Sequence, residues 1–253
     1  MPSAYTVVDT TQALSSFVSK LYELERTRPA LFVDLEGYEL GRNGRLALIT
    51  IYALPLAMTY IVDVTTLEEA SFTTEGEGLP GKTLKSLLED NSIPKVLYDC
   101  RGDNDALYNL YKVDMRGVID LQLMELATRA TSPYGANLNG LARTIRNYAD
   151  LPDQALEKWE RVKNYGKEIF ESAGPQTLGL FEVRPLSEKV IEYSIQDTTI
   201  LPRLYDRFNG LIQPTWRRRV EEETSRRLQL ARQTVFDGSN GELMKRGPWR
   251  KSV

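Results

Sequence analysis

The 253-residue chain contains no histidine and a single cysteine, Cys100. Without histidine it cannot build a serine–histidine triad, use a histidine general base or bind zinc through imidazole. One cysteine excludes an internal disulfide and argues against a structural zinc site. Any bound metal must therefore take oxygen ligands, which favours Mg²⁺ or Mn²⁺.

The chain also lacks a strong excess of one charge and any long hydrophobic run. Its formal net charge is −3, so it is not a polycation that would coat nucleic acid, and any such binding must come from a local site. No apolar run approaches the ~20 residues of a membrane span, and residues 1–11 lack the pattern of a secretory signal. With one cysteine, these features predict an intracellular protein, cytoplasmic, nuclear or both, without a membrane partner.

What is present indicates one α/β domain with extensions, since 42% of the residues are hydrophobic and the length suits a single core. Three successive apolar segments predict a meander, and alternating strands and helices follow. Together they predict a mixed five-stranded sheet with helices on both faces. The predicted strands are residues 30–34, 45–52, 58–64, 94–98 and 118–120, and the predicted helices are 11–27, 82–89, 103–111, 121–129, 137–148, 158–170, 187–208 and 213–232.

Local signals refine these elements. Thr10 or Thr11 is expected to cap the first helix, and Gly37 to close the first strand with a turn. Pro202 is expected to kink or split the helix that contains it. Predicted irregular segments are the loops at 65–81 and 173–183 and an extended or poorly ordered tail at 237–253.

A first acidic motif stands at the end of a buried strand. Asp34 and Glu36 are two residues apart, so their side chains point to the same face. Charges at the end of an apolar strand cost desolvation unless a positive group compensates, and a divalent cation would do so. Two acids that simply face water explain the motif equally well, so spacing alone leaves both interpretations open.

Two further motifs follow in the predicted helices. Asp103 opens a helix after a strand, where an aspartate is a good N-cap, and Asp99 and Asp105 are nearby alternatives. Tyr193 and Asp197 are four residues apart on a helix and share a face. Taken alone, Asp103 is better explained as a cap, and the later pair as a core tyrosine beside a surface aspartate.

In this order the three motifs resemble the DEDDy branch of the 3′–5′ exonucleases, the RNase D-like family, and are closest to its Egalitarian-like eukaryotic subgroup. Tyr98 stands where that family usually has histidine, and the spacing from Tyr98 favours Asp103 over Asp105 as the ligand of the second motif. The similar segments are residues 34–37, 44–49, 95–103, 118–122, 137–142 and 184–186.

This resemblance implies a ribonuclease H-like (DnaQ-like exonuclease) fold that binds two Mg²⁺ or Mn²⁺ ions. Two cations ~3.5–4 Å apart would clamp the attacking and leaving oxygens of an in-line displacement. Tyr193, with a phenol pKa near ~10, would position the attacking water rather than deprotonate it. The products would be nucleoside 5′-monophosphates released from a 3′ end. The implied metal ligands are Asp34, Glu36, Asp103 and Asp197, and Tyr193 completes the catalytic set.

The resemblance also divides the chain into an N-terminal helical extension (1–29), the exonuclease domain (30–210) and a charged C-terminal helix and tail (211–253). Within the last part, the helix at 213–232 interleaves arginines with glutamates. That pattern favours a salt-bridged, solvent-exposed helix over a surface that binds nucleic acid or a partner.

The expected partner is a single-stranded 3′ end, RNA rather than DNA. Lys163 and Arg184 are candidates to meet phosphates, although a solvated position fits Lys163 better and a turn-fixing role fits Arg184 equally well. Phe181, Tyr165 and Tyr38 are candidates for base stacking, but each is better explained as ordinary packing.

A catalytically silent RNA-binding or adaptor protein on the same fold is the alternative function. Intact carboxylates argue against it, because four acids without a metal would repel one another. A recruiting protein partner, or a homodimer formed through the C-terminal helix, is compatible with either function.

Overall fold

The fold is built on one six-stranded mixed sheet. The computed structural model describes residues 4–25, 27–129, 132–172, 179–234, 236 and 244–249, without the side chains of residues 167–172. The strands are β1 (Tyr5–Val8), β2 (Leu31–Tyr38), β3 (Arg45–Ala53), β4 (Met58–Asp63), β5 (Glu75–Gly76), β6 (Leu79–Thr83), β7 (Lys95–Leu97) and β8 (Val118–Asp120). Their order in the main sheet is β1-β4-β3-β2-β7-β8, and β5 and β6 form a separate hairpin.

The predicted α/β architecture is confirmed, and β2 occupies the middle of the sheet. β2, β3 and β4 form the antiparallel meander expected from the sequence. β7 pairs with β2 in parallel, and β8 pairs with β7 in parallel. Residues of β2 are therefore shielded by a neighbouring strand on either side.

The predicted count of five strands is one short. β1 pairs in parallel with β4 at the outer edge of the sheet. It has four residues and is exposed at its start, so it lacks the apolar run by which a core strand is recognised. The β5–β6 hairpin, in a segment predicted mainly as a loop, was missed for the same reason, since both strands are short and mostly polar.

Each predicted helix is present, with differences at the ends. Pro202 lies inside a helix that continues unbroken to Leu211. Two one-turn helices, at Val64–Leu67 and Ala70–Thr73, were not expected. No helix in the described part of the chain is long and apolar enough to cross a bilayer. The helices are α1 (Thr11–Glu23), α2 (Val64–Leu67), α3 (Ala70–Thr73), α4 (Leu84–Glu89), α5 (Arg101–Tyr111), α6 (Leu121–Thr128), α7 (Leu141–Tyr148), α8 (Asp153–Ser172), α9 (Glu188–Leu211) and α10 (Pro214–Leu230).

Two of the predicted irregular segments fall partly outside the described residues. Of the loop at 173–183, residues 179–183 are described and contain a short 3₁₀ turn at Leu180–Glu182. Of the tail at 237–253, only residues 244–249 are described. There Leu138 donates its backbone N–H to the Lys245 carbonyl at 2.8 Å, so this part of the tail lies against the loop before α7.

Each face of the sheet carries its own hydrophobic core. Leu31, Val33 and Leu35 of β2 pack on the face covered by α1 and α4. Phe32 packs on the opposite face, which α6, α7 and α9 cover. Because side chains alternate along a strand, Asp34 and Glu36 share the face of Phe32 and point toward α9.

The β2 strand becomes irregular just after this acidic pair. Its register with β3 shifts between Glu36 and Gly37. A Cβ atom at Gly37 would lie 1.9 Å from the carbonyl oxygen of Arg45, so glycine is needed for a close approach of the two strands. The turn predicted at Gly37 is wrong, because the strand continues to Tyr38.

Candidate active site

The acidic pair of β2 faces a long helix. Ser187 caps α9 as the sequence predicts, by accepting a hydrogen bond from the backbone N–H of Val190 at 3.4 Å. Buried apolar residues such as Leu201 hold one side of α9 on the sheet. Tyr193 and Asp197 lie one turn apart on this helix, which packs across β2 and β3.

The strand and the helix enclose a cavity of about 230 Å³. Four of the five residues predicted for the site line it, two from β2 and two from α9. The cavity thus brings together residues that are up to 163 positions apart in the sequence, from Asp34 to Asp197. Its lining residues are Asp34, Leu35, Glu36, Tyr98, Leu141, Lys163, Tyr193, Asp197 and Leu201.

Asp103, the fifth predicted residue, does not line the cavity. It is buried in the first turn of α5, and its charge helps to raise the pKa of the Glu36 carboxyl. The helix begins at Arg101, so Asp103 is not the N-cap that its position alone suggested.

Asp105, the alternative to Asp103, is committed elsewhere. Arg42 donates to one Asp105 oxygen through its guanidinium at 2.7 Å and to the other through its backbone N–H at 2.8 Å. Asp103, in contrast, is coupled electrostatically to Asp34. This favours Asp103, although its role as a ligand stays a prediction.

Lys163 enters the cavity from α8 and brings a positive charge to it. Its Nζ donates to Asp197 Oδ2 at 2.5 Å and lies 3.2 Å from the Tyr193 hydroxyl. Burial lowers the pKa of Lys163, but Asp197 and Tyr193 outweigh burial and raise it. The solvated position favoured from the sequence is wrong, because the packing of α8 on α9 turns this lysine inward.

Burial and mutual repulsion make these acids reluctant to ionise. Burial, and then the charge of Asp197, raises the pKa of Asp34 to about 7, although Lys163 lowers it. Burial together with Asp34 also raises the pKa of Glu36 and that of Asp103. Neighbouring carboxylates in a poorly solvated cavity disfavour each other's charged form. Positive charge in addition to that of Lys163 would therefore favour the ionised form of these carboxyl groups.

Tyr193 is held in place by packing on two sides. The Phe181 ring lies 6.0 Å from it, centroid to centroid. On the other side, a Cβ atom at Gly166 of α8 would lie 2.2 Å from a carbon of the Tyr193 ring. Burial, with a contribution from Glu36, raises the pKa of Tyr193 to about 12. Gly166 was missed from the sequence, although a glycine inside a charged helix is a signal for close approach.

Tyr98 and Leu141 are lining residues whose place was not predicted. The Tyr98 hydroxyl donates to the Asn139 carbonyl at 2.8 Å and lies 2.6 Å from the Thr144 hydroxyl oxygen. These contacts tie the end of β7 to the segment before α7 and fix the Tyr98 ring at the cavity wall. The sequence signalled Tyr98 only as a departure from the usual histidine.

The other candidates for substrate contacts do not line the cavity. Arg184 forms an ion pair with the buried Asp63, which supports the turn-fixing role. None of the three aromatic candidates, Phe181, Tyr165 and Tyr38, lines the cavity in the described structure.

The donor set suits a hard divalent cation, but it is not assembled into a cage. Its ligands would all be carboxylate oxygens, which Mg²⁺ and Mn²⁺ prefer, and Asp197 Oδ1 is buried without a hydrogen-bond partner. Among the described residues, no three acidic or cysteine side chains are arranged to hold a metal ion as they stand. Lys163 occupies Asp197 Oδ2, which leaves Oδ1 as the oxygen of Asp197 that is open to a cation.

Comparison with known families identifies the domain. The sequence profile of the 3′–5′ exonucleases matches residues 5–213, which is most of the chain. The chain belongs to the 3′–5′ exonuclease family. The matched region includes every residue that lines the cavity, from Asp34 to Leu201, together with Asp103.

Two curated relatives are the piRNA biogenesis protein EXD1 of Mus musculus and that of Bombyx mori. The mouse protein is 27% identical over 122 residues, which cover 48% of this chain and 19% of the relative. The Bombyx mori protein is 24% identical over 193 residues, which cover 75% of this chain and 52% of the relative. The chain therefore spans at most about half the length of these relatives.

Solved structures of RNase D have the same fold. Trypanosoma brucei RNase D in complex with GMP superposes with a TM-score of 0.70 at 21% identity, covering 94% of this chain and 68% of that one. Escherichia coli RNase D superposes with a TM-score of 0.57 at 18% identity, covering 91% and 51%. With the family match, these structures confirm the RNase D-like resemblance and the fold predicted from the sequence. The roles of individual residues stay predictions.

We expect Gly166→Ala to slow the shortening of RNA from its 3′ end by about tenfold to a hundredfold, because the added methyl group would displace the Tyr193 ring and misplacements of this size carry such a loss. The rate would be measured on 5′-labelled RNA with Mn²⁺. Gly210→Ala is the control, since a Cβ atom there, also inside a long helix, meets no neighbouring atom within 4 Å. An unchanged rate in Gly166→Ala would contradict the packing role.

The raised pKa of Asp34 predicts a pH dependence of stability without metal. Because its pKa is about 7 in the folded chain against an ordinary 3.8, the native state holds the proton more tightly than the unfolded state. The contribution of the Asp34 carboxyl to the free energy of unfolding is therefore fully present below about pH 4 and is lost as the pH rises through about 7. In EDTA, Asp34→Asn should melt above the wild type at pH 8 but not at pH 4.

The exposed Glu222 provides the control for this titration. Glu222→Gln should leave the difference in melting temperature between pH 4 and pH 8 as it is in the wild type. If Asp34→Asn melted below the wild type at pH 8, charge repulsion in the cavity would not be the main effect of this carboxylate on stability.

Proposed function

We propose that the chain is a metal-dependent 3′–5′ exonuclease that shortens single-stranded nucleic acid, RNA in preference to DNA, and releases nucleoside 5′-monophosphates. The observation that carries the proposal is the cavity in which Asp34, Glu36, Tyr193 and Asp197 meet, with Asp103 close enough to raise the pKa of Glu36. Membership of the 3′–5′ exonuclease family supports the same reaction.

Two Mg²⁺ or Mn²⁺ ions are the cofactors we propose. The residues that would hold them are Asp34, Glu36, Asp103 and Asp197, and the raised pKa values of these carboxyl groups support the proposal, because added positive charge would favour their ionised form. When bound, such ions stabilise the charge on the attacking and leaving oxygens of a phosphodiester. Brucella melitensis NrnC, whose structure contains Mg²⁺, shares the fold with a TM-score of 0.56 at 17% identity.

Tyr193 would orient the attacking water. With a pKa raised to about 12, its phenol keeps its proton at neutral pH and can form hydrogen bonds without acting as a base. Lys163, once it leaves Asp197, could donate to a phosphate oxygen from the same side of the cavity. Tyr98 and Leu141 supply surface on which a terminal base could stack.

The preference for RNA is argued from similarity. Trypanosoma brucei RNase D has been solved with the RNA U12, and it superposes on this chain with a TM-score of 0.68 at 21% identity, covering 94% of this chain and 74% of that one. The EXD1 relatives take their name from piRNA biogenesis. Both similarities support RNA as the substrate class that we propose.

A silent RNA-binding or adaptor protein is the second candidate, and one observation favours it. Lys163 already neutralises Asp197, and no group of acids in the described residues forms a finished metal site. In that case the lysine would replace the cation permanently. We also propose a recruiting partner or a homodimer through α10, which would contact exposed residues of this helix such as Arg218 and Glu222.

The proposal is tested with single-stranded RNA and DNA of one sequence, each labelled at the 5′ end. With Mn²⁺ or Mg²⁺ we expect a ladder of products shortened from the 3′ end, faster for RNA, and none in EDTA. Asp34→Asn should abolish shortening, because it removes a carboxylate from the centre of the cavity. Asp206→Asn is the matched control, since Asp206 is an exposed aspartate of α9 that pairs with Arg28 and does not line the cavity.

Either candidate can be rejected by the same assay. Intact RNA in every lane, together with metal-independent retention of RNA on a native gel, would reject the exonuclease in favour of the adaptor. A ladder that persists in Asp34→Asn would show that the activity arises elsewhere.

Lys163→Met separates the two candidates without any substrate. In the exonuclease, removing the lysine leaves Asp197 unpaired, so the melting temperature in EDTA should fall and Mn²⁺ should raise it by more than in the wild type. Lys158→Met is the control, because Lys158 also links α8 to α9 but pairs with the exposed Glu192. No response to Mn²⁺ in the wild type or in Lys163→Met would favour the adaptor.

A further inference from the structure

The C-terminal helix α10 is packed into the body of the domain, contrary to the solvent-exposed position favoured from the sequence. The buried residues on one side of this helix are Val220, Glu223, Thr224 and Arg227. The helix contacts α5, α6 and β8. The family match ends at residue 213, so this helix lies beyond the part of the chain that similarity assigns to the exonuclease domain.

Arg227 is the most deeply buried cation of α10, with 2% of its surface exposed. Its Nη1 atom donates to Asp120 Oδ2 at 2.6 Å and to Gln122 Oε1 at 3.0 Å, and it lies 3.4 Å from Asp99 Oδ1. A buried arginine without carboxylate partners would be strongly destabilising. The helix is therefore anchored by a buried positive charge whose carboxylate partners are Asp120 and Asp99.

One partner of Arg227, Asp99, lies in the turn from which α5 begins, and another, Asp120 at the end of β8, holds that turn. Asp120 accepts the backbone N–H of Asp99 at 3.1 Å and that of Cys100 at 3.4 Å. Asp99 has a φ of +65°, a conformation that a residue with a side chain holds only when its surroundings fix it. Arg101 donates to both oxygens of Asp99, at 2.6 and 2.5 Å, and Asp120 and Arg227 complete the contacts that fix this turn. Asp103 follows in the first turn of α5.

Three further contacts join α5 and its neighbour Arg42 to the end of α10. Asn104 donates to the Leu228 carbonyl at 2.8 Å, and Asn109 donates to the Ala231 carbonyl at 3.0 Å. Arg42, which holds Asp105 of α5, also donates to the Gln233 carbonyl at 2.8 Å. The orientation of α5 therefore depends on α10 through side chains on both helices.

We propose that Arg227 is a positioning residue for the acidic cavity. By clamping Asp99 and Asp120, it sets the start of α5 and thus the place of Asp103 relative to Asp34 and Glu36. The catalytic unit then extends through α10, beyond the segment that the family similarity covers. This inference rests on the proposed metal-dependent function of the cavity.

Arg227→Lys is the variant of choice, because it keeps the buried charge and lets the chain fold while it removes the guanidinium fork. Arg218→Lys is the matched control, since Arg218 lies on the same helix with 75% of its side chain exposed. Circular dichroism confirms folding of both. Two readouts then follow, one for the turn and one for the cavity.

The first readout uses Cys100, the only cysteine of the chain, as a probe within the clamped turn. It is fully buried, so a thiol reagent reacts with it in the native protein only when the turn opens. We expect faster modification in Arg227→Lys than in the wild type and an unchanged rate in Arg218→Lys.

The second readout is the Mn²⁺ concentration at half-maximal thermal stabilisation, measured without nucleic acid. It should rise by about tenfold or more in Arg227→Lys, the range found when residues behind a metal ligand are changed. A merely structural role would lower the melting temperature and leave this concentration unchanged. Arg218→Lys should match the wild type.

An unchanged half-saturating Mn²⁺ concentration in Arg227→Lys, or an unchanged rate of Cys100 modification, overturns the positioning role. A wild type that binds Mn²⁺ but shortens neither RNA nor DNA overturns the proposed function alone, while the positioning role is still decided by the two readouts. A wild type that does not respond to Mn²⁺ overturns both.

Discussion

Four carboxylates that lower each other's tendency to ionise, with one lysine beside them, are the constraint around which this domain is arranged. Their burial raises the pKa of Asp34, Glu36 and Asp103, so the site costs stability in the absence of metal. The surrounding structure offsets this unfavourable free energy, because β2 lies in the middle of the sheet and hydrophobic cores pack on both of its faces. A rigid scaffold of this kind can hold groups that repel one another.

A second acidic cluster, which contains Asp99 four residues before Asp103, has the opposite balance of acidic and basic side chains. Asp120 is buried and Asp99 is partly buried, yet Arg227 and Arg101 neutralise them within the chain. Their negative charge is thus used for structure, to attach α10 and to fix the start of α5. The cavity has more acids than cations, whereas this cluster is balanced, and that difference separates a candidate functional site from a structural one.

Much of the fold followed from periodicity, and the errors have physical causes. The meander, β7, β8 and the long helices carry apolar patterns that predict them well. The edge strand β1 and the β5–β6 hairpin are too short and polar for such a pattern. Inside the site, Asp34, Glu36, Tyr193 and Asp197 were chosen from the order of the motifs and the family that this order resembles. Gly166 was not expected there, and Lys163 was only a candidate phosphate contact, because their positions depend on the packing of α8 against α9.

The sequence by itself determined the chemistry that is available. The absence of histidine limits any metal to oxygen ligands, and the spacing of Asp34 and Glu36 on a strand places both on one face. Only the tertiary structure decided which acids meet. It joins Asp105 to Arg42, leaves Asp103 beside the cavity, turns Lys163 inward and buries Arg227 under α5. Local pattern fixes the direction of a side chain, but contacts between distant segments depend on how helices pack on the sheet.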